Sequence, residues 1–388
     1  MRKLFNDKTY GYNDVTIVPA KISHVCSRSQ CQDHYHVNNL LPIFTAPMAA
    51  VVSEKNYRTF INNRICPIIP RNVDLELRLG FIRNGLWVAI SLSELKSLFI
   101  EEGSPLYDNN AGTYNICVDV ANGHMVCLYD MIYRAKMTAE TFNCELTVMT
   151  GNIANPDTYT YICERNSESY KHNRFILVDY IRLGIGGGQG CITTSNVGVH
   201  FGQASLIKCC AKLKDLTESH LTPKIIADGG IRNYDDVIKA LALGADYVMI
   251  GGLFSRTLES AGEKLINGTN SEKKKRFDRA NYSDLFYDHE TEQWYEVGND
   301  EPIGQILVKF YGMASADGQI AINGTKSKTS EGVTKELSVI YQLDKWVENM
   351  SAYLRSAMSY CDCTFLSDFI GKQKIALNSI QEISAVNK

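Results

Sequence analysis

The chain has 388 residues, of which 45% are hydrophobic, and it carries a formal net charge of −3 with a pI near 6.3. This balanced charge gives no indication of a nucleic-acid or membrane partner, and no run approaches the roughly eighteen apolar residues of a membrane span. The N-terminal stretch has no apolar secretion segment, so we expect a cytoplasmic protein. The twelve cysteines lack the spacing of a zinc site, and we expect them to be reduced.

Eight short apolar segments, each ending at a glycine, a proline or a polar residue, recur along the chain. They are residues 41–48, 65–71, 86–92, 114–123, 145–153, 180–187, 224–230 and 246–252. Their near-continuous hydrophobicity indicates parallel strands buried on both faces. Helical spacing of apolar residues lies between them, as in 233–245. The pattern favours an α/β fold, a (β/α)8 TIM barrel, over an open doubly wound sheet, although a count of strands does not prove closure.

The alternation stops after the eighth strand. Residues 268–300 are highly charged, and we interpret them as an insertion, part helix and part mobile loop. An apolar segment at 306–315 and a helical region at 337–360 follow. We therefore expect a single barrel domain over 1–388, with a polar insertion at 267–304 and a mobile flap at 313–336.

Two glycine pairs stand at the ends of strands seven and eight. Gly229 and Gly230 follow Asp228, and Gly251 and Gly252 follow the last strand. Barrels commonly bind phosphate at these two positions, where paired glycines let backbone N–H groups approach an anion. Asp228 would repel a phosphate and is better suited to accept hydrogen bonds from ribose hydroxyls. Together they indicate a nucleoside monophosphate, although either pair alone fits a tight turn equally well.

A cysteine follows five glycines within seven positions after the sixth strand, in "GIGGGQGC" (184–191). The loop is interpreted as a flexible segment that carries a thiol to a ligand and exposes carbonyls to a cation. The alternative is an inert buried cysteine, which is the commoner case. It is less favoured because core packing does not need five glycines beside a thiol. A dinucleotide-binding fold is not supported, since no βαβ unit with an acidic residue about twenty positions after the glycines is found here.

These motifs resemble those of the inosine-monophosphate dehydrogenase and GMP reductase family of barrels. "GIGGGQGCITTSNVGVHFGQ" is similar to the family's cysteine loop, "IADGGI" and "MIGG" to its nucleotide-binding turns, and "FYGMAS" to its methionine loop. The resemblance implies that Cys191 is the nucleophile, that Thr193 handles a proton and that Met313 contacts the purine. The loop departs from the family pattern where Thr194 replaces an arginine.

The flap and one strand end favour the reductase branch of this family. "VDVANGHM" (118–125) and "SEGV" (330–333) resemble reductase motifs. Between Met313 and Glu331 there is no arginine or tyrosine, whereas the dehydrogenases need an Arg-Tyr pair in this flap. No segment is long enough for the regulatory domain pair that the dehydrogenases usually carry.

The resemblance implies that NADPH reduces GMP to IMP and ammonia. Cys191 would attack C2 of the purine as a thiolate, Thr193 and Glu331 would protonate the departing amine, and a covalent thioimidate would then accept hydride. Two alternatives remain: an IMP dehydrogenase that forms XMP with NAD, or a nucleotide-binding relative without catalysis. The altered cysteine loop motivates the second.

The resemblance also assigns further contacts, a cation and an assembly. Substrate contacts are expected at Asp228, Gly229, Gly230, Gly251, Gly252, Gly312, Met313, Lys328, Ser330 and Gly332. Cofactor contacts are expected at Ser27, Arg28, Arg71, Asp119, Val120 and Ala121. A potassium ion is expected at the carbonyls of Gly186, Gly188 and Cys191, and the assembly is expected to be a homotetramer.

Several of these residues have ordinary structural alternatives. The alternative for Asp119 is a strand-end carboxylate that caps a helix. The alternative for Glu331 is a solvated flap residue, and for Ser27 and Arg28 it is an ordinary turn. His124 and His200 are interpreted as hydrogen-bonding loop residues rather than catalysts; both are outside the lists above.

Overall fold

The computed structural model describes residues 8–35, 39–101, 103–104, 106, 112–188, 190–267, 274–278, 282–325, 329–330 and 332–378. Its first strand, β1 (Val15–Val18), pairs antiparallel with the strand Lys374–Leu377 near the C-terminus. This pairing joins the first and the last strand of the described residues.

Eight parallel strands form the barrel, and each coincides with one of the eight predicted segments, although β5 begins one residue before its segment. They are β2 (Ile43–Thr45), β3 (Ile68–Ile69), β4 (Trp87–Ile90), β5 (Thr113–Asp119), β6 (Glu145–Ile153), β7 (Tyr180–Leu183), β8 (Lys224–Asp228) and β9 (Tyr247–Ile250). The barrel closes between β2 and the residues before β3, where the Cys66 N–H donates to the Ile43 carbonyl at 3.0 Å and the Thr45 N–H to the Cys66 carbonyl at 3.0 Å. The expected (β/α)8 barrel is therefore confirmed, and the open sheet is excluded.

Helices connect the barrel strands and follow the last of them. They are α1 (Tyr57–Asn62), α2 (Leu75–Arg83), α3 (Leu92–Phe99), α4 (Val126–Thr141), α5 (Pro156–Asn173), α6 (Thr193–Val197), α7 (Gln203–Asp215), α8 (Tyr234–Leu243) and α9 (Gly252–Ser255). Local sequence sets several of their ends. Ser91 and Glu94 form a capping box at the start of α3, and Asn233 and Asp236 form one at α8. Helix α8 ends at Gly244, whose φ of 120° favours glycine.

Aromatic side chains fill the barrel interior near the strand N-termini. The rings of Phe44, Trp87, Tyr180 and Tyr247 pack with centroids 5.1 to 6.2 Å apart. Met149, Ile226 and other buried residues continue this cluster along the strands. Because the interior is packed, a ligand can enter the barrel only from the carboxyl ends of the strands.

A second, antiparallel sheet follows the barrel. It contains β10 (Lys264–Asn267), β11 (Lys275–Arg276), β12 (Leu285–Asp288), β13 (Gln293–Glu296), β14 (Pro302–Tyr311) and β15 (Thr334–Ser338). The expectation of helix and loop in 268–300 is wrong for the described residues, which form strands and turns. Their own buried cluster around Trp294 and Val308 explains this, since alternate residues of a half-exposed strand pack inward. Buried residues alternate along β14 as that pattern requires.

The C-terminal region contains α10 (Ala316–Asn323), α11 (Leu343–Tyr360), α12 (Leu366–Phe369) and β16 (Lys374–Leu377). The helical region expected from residue 337 begins later, because 334–338 pair with β14 as strand β15. None of the helices in the described ranges has the length and apolar character needed to cross a bilayer.

Candidate active site

A cavity of about 370 Å³ opens at the carboxyl ends of the barrel strands. Most of the residues predicted for the site line it. They are Arg71, Asp119, Val120, Ala121, Gly186, Gly188, Cys191, Thr193, Asp228, Gly229, Gly230, Gly251, Gly252, Gly312 and Met313. The volume lies in the usual range of small-molecule sites.

Cys191 lies in the loop between β7 and α6. Its Sγ is 3.1 Å from the Oγ1 of Thr193, and its backbone N–H donates to the Gly188 carbonyl at 3.1 Å. The loop needs glycine at two positions in particular. A Cβ on Gly186, whose φ is 78°, would lie 1.8 Å from the Thr194 Oγ1, and a Cβ on Gly184 would lie 2.3 Å from the Asp228 carbonyl oxygen. The glycines therefore allow the thiol loop to lie directly against its own helix and against β8.

The methionine loop and the end of the flap hold this cysteine loop from the other side. Cys191 and Gly332 form an antiparallel bridge, and the Val333 N–H donates to the Gly190 carbonyl at 3.0 Å. A Cβ on Gly312 would lie 2.5 Å from the Gly190 oxygen. Close backbone contact between Gly190 and Gly312 thus places Met313 on the cavity wall beside the thiol.

The loops after β7 and β8 touch each other through glycines. A Cβ on Gly229 would lie 3.3 Å from the Gly188 nitrogen, and Gly229 and Gly230 have φ values of 94° and 77°. Gly251 is also tight, since a Cβ there would lie 2.8 Å from the Met48 Sδ. These glycines leave backbone exposed to the cavity where the sequence predicts a phosphate.

Alternating charges cross the floor of the cavity. The carboxylate of Asp119 lies 3.5 Å from the Arg71 Nε and 2.9 Å from the Arg182 Nη2. Arg182 Nη1 lies 3.8 Å from the Asp228 Oδ2, which also accepts a hydrogen bond from the Asn152 amide at 2.8 Å. Burial raises the pKa of the Asp228 carboxyl, although Arg182 and Asn152 favour its charged form.

Arg182 and Asn152 are site residues that the sequence analysis missed. Both lie in strands read as apolar, in "YIRLG" and "TGNI". The available signal was a charged or amide side chain near the carboxyl end of a buried strand, where a barrel builds its site. Asp119 does not act as a helix cap, because its carboxylate pairs with the two arginines and Met125 is the N-cap of α4.

Some predicted residues are not among the described residues that line the cavity. Ser27 accepts a hydrogen bond from the Ser29 N–H at the start of a short 3-10 helix that begins at Arg28, and both are exposed. Ser330 and Gly332 belong to the flap, where the Ser330 hydroxyl donates to the Gly332 carbonyl at 2.8 Å. Lys328 and Glu331 lie outside the described residues.

The two loop histidines make the hydrogen bonds expected of structural residues. His124 Nε2 accepts from the Ala154 N–H at 3.1 Å, its Nδ1 is 2.8 Å from the Thr158 hydroxyl, and burial lowers its pKa. His200 Nδ1 is 2.9 Å from the Ile185 carbonyl oxygen. Neither ring is among the described residues that line the cavity.

Comparison with known proteins identifies the family to which this barrel belongs. Residues 106–284 match the IMP dehydrogenase / GMP reductase domain. The chain is 30% identical to the GMP reductase of Helicobacter pylori over 274 aligned residues. The aligned region covers 67% of this chain and 75% of that relative. It is 32% identical over 269 residues to the GMP reductase of an Exiguobacterium species, covering 66% and 74% respectively.

The chain belongs to the IMP dehydrogenase/GMP reductase family. Membership confirms the resemblance drawn from the cysteine loop, and both names in the family description are those of oxidoreductases. The GMP reductase of Bacillus subtilis is a further relative, 29% identical over 269 residues. The family match ends at residue 284, so the methionine loop and flap are additional to it.

Proposed function

We propose that this protein is a GMP reductase that uses NADPH to convert GMP into IMP and ammonia. The observation that carries the proposal is the position of Cys191, whose sulfur lies 3.1 Å from the Thr193 hydroxyl on the wall of the cavity at the carboxyl ends of the barrel strands. The activity named for its relatives supports the same conclusion. The protein is proposed to work as one barrel domain over 1–388, with the 267–304 insertion and the 313–336 flap.

The proposed chemistry begins with a covalent bond between Cys191 and the purine. The thiolate attacks C2, a C–S bond forms, and the C2–N bond breaks once the amine has received a proton. Thr193 and Glu331 are proposed to deliver that proton, so ammonia leaves. In the product C2 carries hydrogen, the C–S bond has broken and the thiolate is free again.

The nucleotide is proposed to bind through the turns after β8 and β9. Backbone N–H groups near Gly229, Gly230, Gly251 and Gly252 would hold the phosphate, and Asp228 would accept hydrogen bonds from the ribose. Met313 would contact the purine. Lys328, Ser330, Gly312 and Gly332 are proposed to complete this site from the methionine loop and the flap.

The residues opposite the cysteine loop suit a dinucleotide. Asp119 offers a carboxylate for ribose hydroxyls, Arg71 offers a cation, and Val120 and Ala121 line the same cavity as Cys191. NADPH, when bound, supplies the hydride. Ser27 and Arg28 remain predicted cofactor contacts, and neither is among the described residues that line this cavity.

A potassium ion and a homotetramer remain predictions from the resemblance, and a cytoplasmic location remains a prediction from the sequence. The Gly188 carbonyl predicted as a potassium ligand also accepts the Cys191 N–H.

The proposal is tested by following the absorbance of the reduced nicotinamide. With GMP, the protein should consume NADPH and release equal amounts of IMP and ammonia. With IMP and NAD, it should form no NADH. Formation of NADH from IMP without consumption of NADPH with GMP would identify a dehydrogenase, and binding of GMP without any turnover would identify a non-catalytic relative.

A further inference from the structure

One buried guanidinium lies between the two carboxylates that are proposed to hold different ligands. Arg182 is 3% exposed and belongs to β7, next to the strand that carries Asp228. Its Nη2 donates to the Asp119 Oδ1 at 2.9 Å and to the Gly151 carbonyl at 3.1 Å. Its Nη1 is 3.8 Å from the Asp228 Oδ2, which is an ion pair without a direct hydrogen bond.

The charges around Arg182 alternate and balance. Arg71, Asp119, Arg182 and Asp228 form a row of cation, anion, cation and anion. A buried charge without a partner is strongly unfavourable, so neither carboxylate can change its position without affecting the shared guanidinium. Groups linked in this way in a low-dielectric site influence each other more than they would in water.

The two ends of the row face different ligands under the proposed function. Asp119 stands with Val120 and Ala121 on the cofactor side, whereas Asp228 precedes the glycine turn on the nucleotide side. The Nε atom of Arg182 is buried and has no hydrogen-bond partner among the described residues. The contact to Asp228 is also longer than the contact to Asp119. The guanidinium is therefore held more closely on the Asp119 side than on the Asp228 side.

We propose that Arg182 is a positioning residue that couples the nucleotide subsite at Asp228 to the dinucleotide subsite at Asp119. A ligand that orders either carboxylate also fixes the guanidinium, so the second ligand meets a carboxylate that is already oriented. The second ligand then pays a smaller ordering cost, and each ligand increases the affinity for the other. This inference rests on the proposed function.

The test measures binding of GMP and NADP⁺, a pair that cannot react with each other because both are oxidised. Calorimetry gives the NADP⁺ dissociation constant with and without saturating GMP. In the wild type we expect GMP to tighten NADP⁺ binding by at least about five-fold, a typical coupling. The coupling ratio is the NADP⁺ dissociation constant without GMP divided by that with saturating GMP. In R182M we expect this ratio to fall to about one. In R182K, which keeps the charge but loses the planar guanidinium with its two Nη donors, we expect an intermediate value.

Arg78 provides the matched control. It is also a buried arginine of the barrel, paired with Glu94 at 2.6 Å, but it is not among the described residues that line the cavity. R78M should lower stability while keeping the wild-type coupling ratio. If R182M does not fold, R182K alone decides the question.

Three results would overturn the inference. One is a wild-type ratio near one, which would mean that the subsites are independent. Another is an R182K or R182M variant with the wild-type ratio, which would assign the coupling to direct contact between the two ligands. The third is a wild type that binds neither GMP nor NADP⁺, which would overturn the proposed function as well. In the first two cases the wild type still turns over GMP with NADPH, so measuring this turnover separates failure of the coupling from failure of the proposed function.

Discussion

The sulfur of Cys191 lies 3.1 Å from the hydroxyl oxygen of Thr193, within hydrogen-bond distance for sulfur. Only Ile192 separates the two residues, and Thr193 is the first residue of α6. The turn from loop to helix therefore brings the proposed nucleophile and the proposed proton carrier together. Both also line the cavity, so a ligand there would meet the two groups at once.

Replacing Cys191 by alanine should lower turnover of GMP by at least ~10³-fold, because Cys191 carries the only thiol among the described residues that line the cavity. The GMP dissociation constant should stay within about three-fold, since Cys191→Ala removes few binding atoms. Steady-state kinetics and calorimetry give the two quantities. Cys209→Ala changes a thiol of α7 that is not among the described lining residues, and it should leave both quantities unchanged. Full turnover by Cys191→Ala would show that Cys191 is structural.

Replacing Thr193 by valine keeps the side-chain shape and removes the hydroxyl. We expect kcat to fall by about 10²-fold, the lower end for loss of a positioned proton donor, with little change in the KM for GMP. Thr138→Val removes a hydroxyl that donates only to its own helix in α4, and it should have no kinetic effect. An equal kcat in Thr193→Val and the wild type would remove Thr193 from the mechanism.

Replacing Gly312 by alanine should separate the methionine loop from the cysteine loop. The new Cβ would lie 2.5 Å from the Gly190 oxygen, which is backbone and cannot move aside cheaply. We expect kcat/KM to fall by about ten-fold or more, because small displacements of positioned groups are costly. The matched control is Gly80→Ala in α2, where a Cβ would meet no described atom within 4 Å apart from its chain neighbours and its own helix backbone, and it should raise stability by up to about 1 kcal/mol. A fully active Gly312→Ala variant would contradict this account.

The stability of the protein should fall as the pH rises through the range in which Glu259 titrates. Burial raises the pKa of Glu259 to about 7 from 4.5, although its carboxylate accepts the Leu343 N–H at 2.9 Å at the start of α11. Between these values the unfolded chain loses the proton first. The contribution of protonated Glu259 to the free energy of unfolding is therefore complete below about pH 4.5, and it is lost as the pH rises towards 7.

Replacing Glu259 by glutamine should remove that pH dependence. Relative to the wild type, Glu259→Gln should gain on the order of 1 kcal/mol in the free energy of unfolding between pH 5 and pH 7, measured by denaturant titration. The exposed Glu263 nearby offers the control Glu263→Gln, for which we expect no such gain. Parallel pH profiles for Glu259→Gln and the wild type would contradict the assignment.

The barrel was predictable from the sequence because its strands are buried on both faces. Segments such as "LWVAISL" and "KIIADGG" are therefore apolar throughout, and each contains one strand. The second sheet was not predictable in the same way. Its strands are half exposed, and a sequence such as "KRFDRANYSDLFYD" has the composition of a solvated loop. Leu285 and Trp294 are buried side chains, and they become so only when β12, β13 and β14 pair.

By itself the sequence determined the barrel, the cysteine loop, and the glycine turns that follow β8 and β9. These features depend on residues that are close in the chain, such as Cys191 and Thr193, or on runs of apolar residues. Tertiary structure alone decided the charge row, since Asp119, Arg182 and Asp228 come from three strands. Closure of the barrel brings these side chains within ion-pair distance. Only this arrangement gives the buried guanidinium of Arg182 two carboxylate partners, Asp119 and Asp228.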